Sequence, residues 1–128
     1  MSLRSPLGQV LGRGAAKEGV HHWWLQRLTS IALVPLTIWF VVALLSLPDF
    51  TYDTVTHWIG HTLTALLMIL FVLTAAWHSQ LGLRVVIEDY AHEPVARTTM
   101  LILSTFVHVL LAGGATLAVL QILFRGAA

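Results

Sequence analysis

The sequence has no cysteine, and only 10% of its 128 residues are Asp, Glu, Lys or Arg. Without a thiol the chain forms no disulfide, carries no thiolate nucleophile and holds no iron–sulfur cluster of its own. Without charge it cannot cover a soluble surface, which ordinarily takes about a quarter of the residues. A Gly-rich dinucleotide-binding fingerprint is also missing, as are internal repeats and low-complexity tracts. The formal net charge is only +1, and nucleic acid is not among the expected partners.

What is present is apolar. Hydrophobic residues make up 57% of the chain and its mean hydropathy is +0.81. Three runs, Leu28–Leu47, Trp58–Leu83 and Thr98–Phe124, each meet the ~20 residues needed to cross a ~30 Å hydrocarbon core. The expectation is an all-α integral membrane protein: an arm over residues 1–20, then a three-helix transmembrane domain over 21–128. The first run is too long for a signal-peptide apolar region and no small-residue cleavage site follows it, so it reads as a retained span. Pro35 lies inside that span, where a kink is tolerated because neighbours re-satisfy the freed backbone groups. Pro48 and Pro94 sit at helix ends. Gly113 and Gly114 offer a small-residue face on the third span, where helices approach closely.

The few cations are distributed unevenly. Arg4, Arg13, Lys17 and Arg27 precede or open the first span, and Arg84 and Arg97 flank the loop between the second and third. The loop PDFTYDTVTH has neither Lys nor Arg. By the positive-inside rule the N-terminus is cytoplasmic and the C-terminus external. Trp23, Trp24 and Tyr90 then fall at the inner interface, and Phe50, Tyr52 and Trp58 at the outer one. Three helices enclose little volume, so the chain is expected to bundle with a partner.

Ionisable residues within a span are functional candidates because hydrocarbon penalises them. His57 and His61 stand four apart, a spacing that can bind a metal, yet no acidic residue accompanies them as in a HExxH-type site. They are expected to be wet and interfacial. His108 can hydrogen-bond a neighbouring helix. His78 shares a helical stripe with Thr74, Gly82 and Asp89, and Asp89 lies roughly 16 Å further along the axis at ~1.5 Å per residue. Gly82, one turn below, leaves room for a flat body beside the imidazole. Neutral imidazole ligates haem iron well; the competing reading is a hydrogen-bonded histidine at a helix interface. A Tyr90 hydroxyl is a suitable donor to a quinone carbonyl, with Asp89 beside it to orient it or pass protons.

The segment HSQLGLRVVIEDY, residues 78–90, resembles the H-x3-G-x6-D-Y signature of the small hydrophobic membrane-anchor subunit of succinate dehydrogenase (respiratory complex II). HHWWLQRLTS is similar to the segment that opens the first span in that family. The resemblance covers most of the chain, and its specificity rests on His78, Gly82, Asp89 and Tyr90. It implies that His78 is one axial ligand of a b-type haem, with the other ligand supplied by a second membrane-anchor subunit (cytochrome b). It further implies that Tyr90, with Asp89, meets ubiquinone at the cytoplasmic side. Arg27, with His21 or His22, would lie near the haem propionates, and Gly82 in the haem's vicinity. Arg84 falls at a permissive position and is assigned no quinone contact. An iron–sulfur subunit and a flavoprotein subunit would oxidise succinate, linking the tricarboxylic acid cycle to electron transport at the bacterial inner membrane. Two alternatives remain at this stage: the anchor of a quinol:fumarate reductase, and a non-catalytic scaffold or transporter subunit.

Overall fold

The computed structural model describes residues 15–125, all but the connections being helical. Helix α1 spans Ala15–Leu45, α2 Tyr52–Gly60, α3 Thr62–Tyr90 and α4 Pro94–Arg125. Helices α3 and α4, and the Gly19–Leu45 part of α1, are long and apolar enough to cross a membrane. Helices suit that solvent because they satisfy their backbone groups internally. Of the expected arm, residues 1–14 lie outside the described residues, while residues 15–20 already belong to α1.

Helix α1 continues through Pro35 and stops where its last carbonyls are met locally. The Ser46 amide and hydroxyl both donate to the Val42 carbonyl, at 3.1 and 2.7 Å, and Pro48 follows. The next stretch departs from expectation. PDFTYDTVTH is not all loop, since α2 begins at Tyr52. Thr51 caps it by accepting from the Thr54 amide at 3.4 Å, and Asp53 stands in its first turn, where a negative charge favours the helix N-terminus. Hydrogen bonds from Thr54 and Thr51 hold the exposed Asp49 carboxyl below its ordinary range. His61 is extended (φ −73°, ψ 130°) and separates α2 from α3, so the second span starts at Thr62 rather than Trp58.

At its other end α3 runs past Leu83 to Tyr90. No breaker intervenes, and Arg84 pairs with Glu88 one turn on at 2.9 Å, a spacing that supports a helix. Helix α4 starts on Pro94, with the Glu93 carboxylate accepting from the Val95 amide at 3.1 Å and also from the Ala96 amide. Proline at the first helical position costs no hydrogen bond.

Helix α3 is central. It packs against α1 on one side and α4 on the other, while α2 leans on α3 and α4. The small core is Ala65, Met68 and Val119, with Trp39, Phe40 and Trp58 packed around it. Phe40 stacks on Phe71 at 5.0 Å, and Trp39 on Trp58 at 6.3 Å, spacings typical of attractive aromatic pairs. Only 6%, 11% and 6% of the three span windows are buried within the chain, so most apolar surface is left for lipid or other subunits. Gly113 and Gly114 meet no atom within 4 Å of an added Cβ, so their small face points away from this chain's own helices.

Candidate functional site

Several polar residues of these apolar helices gather where α1 meets α3. His22, Gln26 and Thr29 recur on α1 at intervals of four and three, which puts them on a single face. His78 lies opposite on α3. Its Nδ1 is 2.9 Å from Thr29 Oγ1, and its Nε2 is 3.4 Å from Gln26 Nε2. Thr29 is 7% exposed, and its hydroxyl also contacts the Leu25 and Gln26 carbonyls at 2.8 and 3.1 Å. A Cβ added to Gly82 would lie 3.7 Å from Gln26 Nε2. An alanine would therefore fit, so α1–α3 packing does not by itself require glycine.

Among the described residues four buried side-chain atoms have no hydrogen-bond partner: His22 Nε2 and Gln26 Oε1 on this face of α1, and Ser104 Oγ and Thr116 Oγ1 on α4. Buried polar atoms are nearly always paired, so the two that stand one turn apart beside His78 mark a place where a group outside the chain can be met. The two adjacent histidines divide here. His22 is half-buried in the cleft, whereas His21 is exposed on the outward side of α1. Arg27 is exposed too, its guanidinium 5.2 Å from the Trp23 ring centroid, within cation–π range.

His108 is spoken for. Its Nδ1 donates to the Ser104 carbonyl at 2.7 Å, and its Nε2 accepts from the Ser79 hydroxyl at 3.2 Å. It ties α4 to α3, the structural role open to it in the sequence. His57 and His61 are exposed, with perpendicular rings 4.9 Å apart. They do not share a helix, because His61 is the extended residue between α2 and α3. They line a cavity of about 610 Å³ at the Arg125 end of the molecule together with Tyr52, Gln121 and Arg125. That recess is distant in sequence and in fold from His78. Among the described residues no three His, Cys, Asp or Glu side chains converge to hold a metal ion.

At the end of α3, Glu88 collects the arginines, with Arg84 at 2.9 Å and Arg97 at 3.9 Å. Asp89 has no ion pair among the described residues, and Tyr90 is 80% exposed. No hydrogen bond joins the Asp89 carboxylate to the Tyr90 hydroxyl. The structure thus places His78 in a cleft with Gln26, Thr29 and Gly82, and leaves Asp89 and Tyr90 outward-facing at the same helix's terminus. Gln26 and Thr29 were not singled out in the sequence, although the spacing of His22, Gln26 and Thr29 on one face was there to be seen.

Three apolar helices with a polar cleft around a histidine define a polytopic membrane subunit built to meet other components. Residues 1–118 match the family model described as succinate dehydrogenase/fumarate reductase transmembrane subunit. The chain is 31% identical over 99 residues to the succinate dehydrogenase hydrophobic membrane anchor subunit of Rickettsia bellii, covering 77% of this chain and 79% of that one. With the like-named subunit of Rickettsia conorii it shares 33% identity over 91 residues, or 70% and 72% of the two chains. With that of Paracoccus denitrificans it shares 29% over 86 residues, 67% of each. The chain belongs to the succinate dehydrogenase/fumarate reductase transmembrane subunit family.

Proposed function

We propose that this chain is the membrane anchor of a succinate:ubiquinone oxidoreductase, that it ligates a b-type haem through His78, and that it contributes Asp89 and Tyr90 to a ubiquinone site. The observation that carries the haem assignment is the α1–α3 cleft. His78 Nε2 has only a long contact with an amide nitrogen, beside two buried atoms left without partners. This donor set fits haem: an imidazole nitrogen for iron, and cationic or N–H groups for its carboxylates. His22 inside the cleft, and His21 and Arg27 on the outward side, are the groups that can meet the propionates. When bound, a haem supplies a one-electron redox centre, and the second iron ligand comes from the partner anchor subunit.

Asp89 and Tyr90 do a different job. A quinone carbonyl in an apolar pocket needs a donor, which a Tyr hydroxyl provides without bringing in charge. Among the described residues both nearby arginines pair with Glu88, and the Asp89 carboxylate beside Tyr90 is left to accept or relay protons. Succinate oxidation belongs to an iron–sulfur and a flavoprotein subunit docked on the same side, since a cysteine-free chain cannot hold the clusters. The Lys and Arg asymmetry favours the cytoplasm for that side. The similar proteins are succinate dehydrogenase anchor subunits, which favours succinate oxidation over fumarate reduction.

The test is the complex purified through this chain. It should contain a second anchor, an iron–sulfur and a flavoprotein subunit, and show a b-type band in the reduced-minus-oxidised spectrum. His78→Ala should abolish the six-coordinate low-spin signal, while His108→Ala, His57→Ala and His61→Ala should keep it. Loss of the signal in His108→Ala but not in His78→Ala would move the ligand to α4 and end this assignment.

A further inference from the structure

The two ring nitrogens of His78 meet different partners, a hydroxyl at Nδ1 and an amide nitrogen at Nε2. A hydroxyl has one proton to give, and that of Thr29 is directed at backbone carbonyls, 2.8 Å from Leu25 and 3.1 Å from Gln26. Carbonyls only accept. With that proton given to the α1 backbone, Thr29 Oγ1 faces His78 Nδ1, at 2.9 Å, as an acceptor, the arrangement in which the imidazole proton is on Nδ1. In the same arrangement the Gln26 amide nitrogen, 3.4 Å from Nε2, has a lone pair to donate to. Nε2 then carries the lone pair, held only by a long contact that a better acceptor of that lone pair can displace.

We infer that Thr29 is a positioning residue for a metal-ligating His78: it accepts the Nδ1–H bond, holds the ring in the tautomer that presents Nε2, and raises the ring's donor strength. This inference rests on His78 being the haem ligand. In metal sites the ligand histidine usually donates its other N–H to an oxygen, which fixes tautomer and orientation and increases ligand basicity. Here that oxygen comes from a hydroxyl on the neighbouring helix. Thr29 is well suited to the role because its own proton is engaged with the α1 backbone, so the hydroxyl cannot rotate into a donor toward Nδ1 without giving up those bonds. Burial keeps water from replacing it.

The consequence is electrochemical. A more basic axial imidazole favours ferric over ferrous iron, so removing the Nδ1–H acceptor should raise the haem midpoint potential. The experiment compares Thr29→Val, equal in shape but without an acceptor, with Thr29→Ser, which keeps the hydroxyl. Both are made in the intact complex and read by potentiometric titration of the haem band, alongside haem content after detergent extraction. Thr29→Val should shift the midpoint upward and weaken haem retention by about 10-fold or more, and Thr29→Ser should stay near the native values. If the valine complex does not assemble, Thr29→Ala, which adds no apolar volume, is read in the same titration.

His78→Ala in the same series separates the two levels. An unchanged midpoint in Thr29→Val, with the low-spin signal lost in His78→Ala, overturns the role of Thr29 and leaves the ligand standing. Equal shifts in Thr29→Val and Thr29→Ser would show packing rather than the hydroxyl at work, and also overturn it. A low-spin haem that survives His78→Ala removes both.

Discussion

Tyr90 is the last residue of α3, and its side chain is 80% exposed in this chain. An aromatic hydroxyl at a helix end, beside a carboxylate without an ion pair, is either an interfacial anchor or a donor waiting for a ligand. The two roles separate on one oxygen. Tyr90→Phe keeps the ring and deletes the donor, and a buried quinone carbonyl left unpaired costs about 1–3 kcal/mol. Ubiquinone reduction by the complex should fall roughly ten-fold or more, equivalent to about 1.4 kcal/mol in the barrier. Succinate-driven reduction of a dye that accepts electrons from the soluble subunits should persist, and so should the haem spectrum. Native ubiquinone kinetics in Tyr90→Phe would assign Tyr90 to anchoring alone.

At the scale of the element, α3 does most of the work: it packs on α1, α2 and α4 and carries His78, Gly82, Asp89 and Tyr90. Its apolar middle was legible because span length needs nothing beyond a run of hydrophobic residues. Its start was not. The polar stretch before Trp58 reads as loop by composition, yet the Thr51 cap and Asp53 start a helix there, and His61 breaks it. Beyond Leu83 the apolar run ends, but the stripe from His78 to Asp89 already required the helix to continue, and the Arg84–Glu88 pair supports it on to Tyr90. The site was legible by halves for a related reason. His78 and Gly82 share one helix and one stripe, so periodicity finds them. Gln26 and Thr29 lie on another helix, and no period within one helix says which neighbour it will face. Ala65, fully buried where α3 meets the outer-end core, tests the packing. Ala65→Leu forces extra volume against Met68, Val119 and the surrounding aromatics, a change that typically costs 1–3 kcal/mol. The detergent-solubilised complex should unfold at a lower temperature, with any haem midpoint potential unaltered, because the His78 cleft lies toward the other end of α3. A native unfolding temperature would mean that this contact is looser than the burial of Ala65 indicates.

For the whole molecule, the helices form an open layer, α1 and α4 flanking α3, rather than a closed bundle. Both faces stay broadly exposed, as the small buried share of each span shows. Such a layer is completed by lipid and by other subunits, and its direction across the membrane decides whether Asp89 and Tyr90 meet the soluble dehydrogenase. Arg27, Arg84 and Arg97 all lie at the end where α1 enters its span and α3 hands over to α4, while α2 and Arg125 lie at the other. Short loops rich in Lys and Arg stay in the cytoplasm, so the α3–α4 connection should face inward and α2 outward. The absence of cysteine makes the test direct, since any thiol label on this chain reports an introduced residue. Asp53→Cys, on α2, and His92→Cys, between α3 and α4, are both at exposed positions. In intact spheroplasts a membrane-impermeant maleimide should label the chain at position 53 and spare position 92; after permeabilisation both should react. Labelling of position 92 but not 53 in sealed spheroplasts would turn the molecule over. Tyr90 would then lie on the face away from the cytoplasm, where a cytoplasmic dehydrogenase could not pass electrons to a quinone beside it.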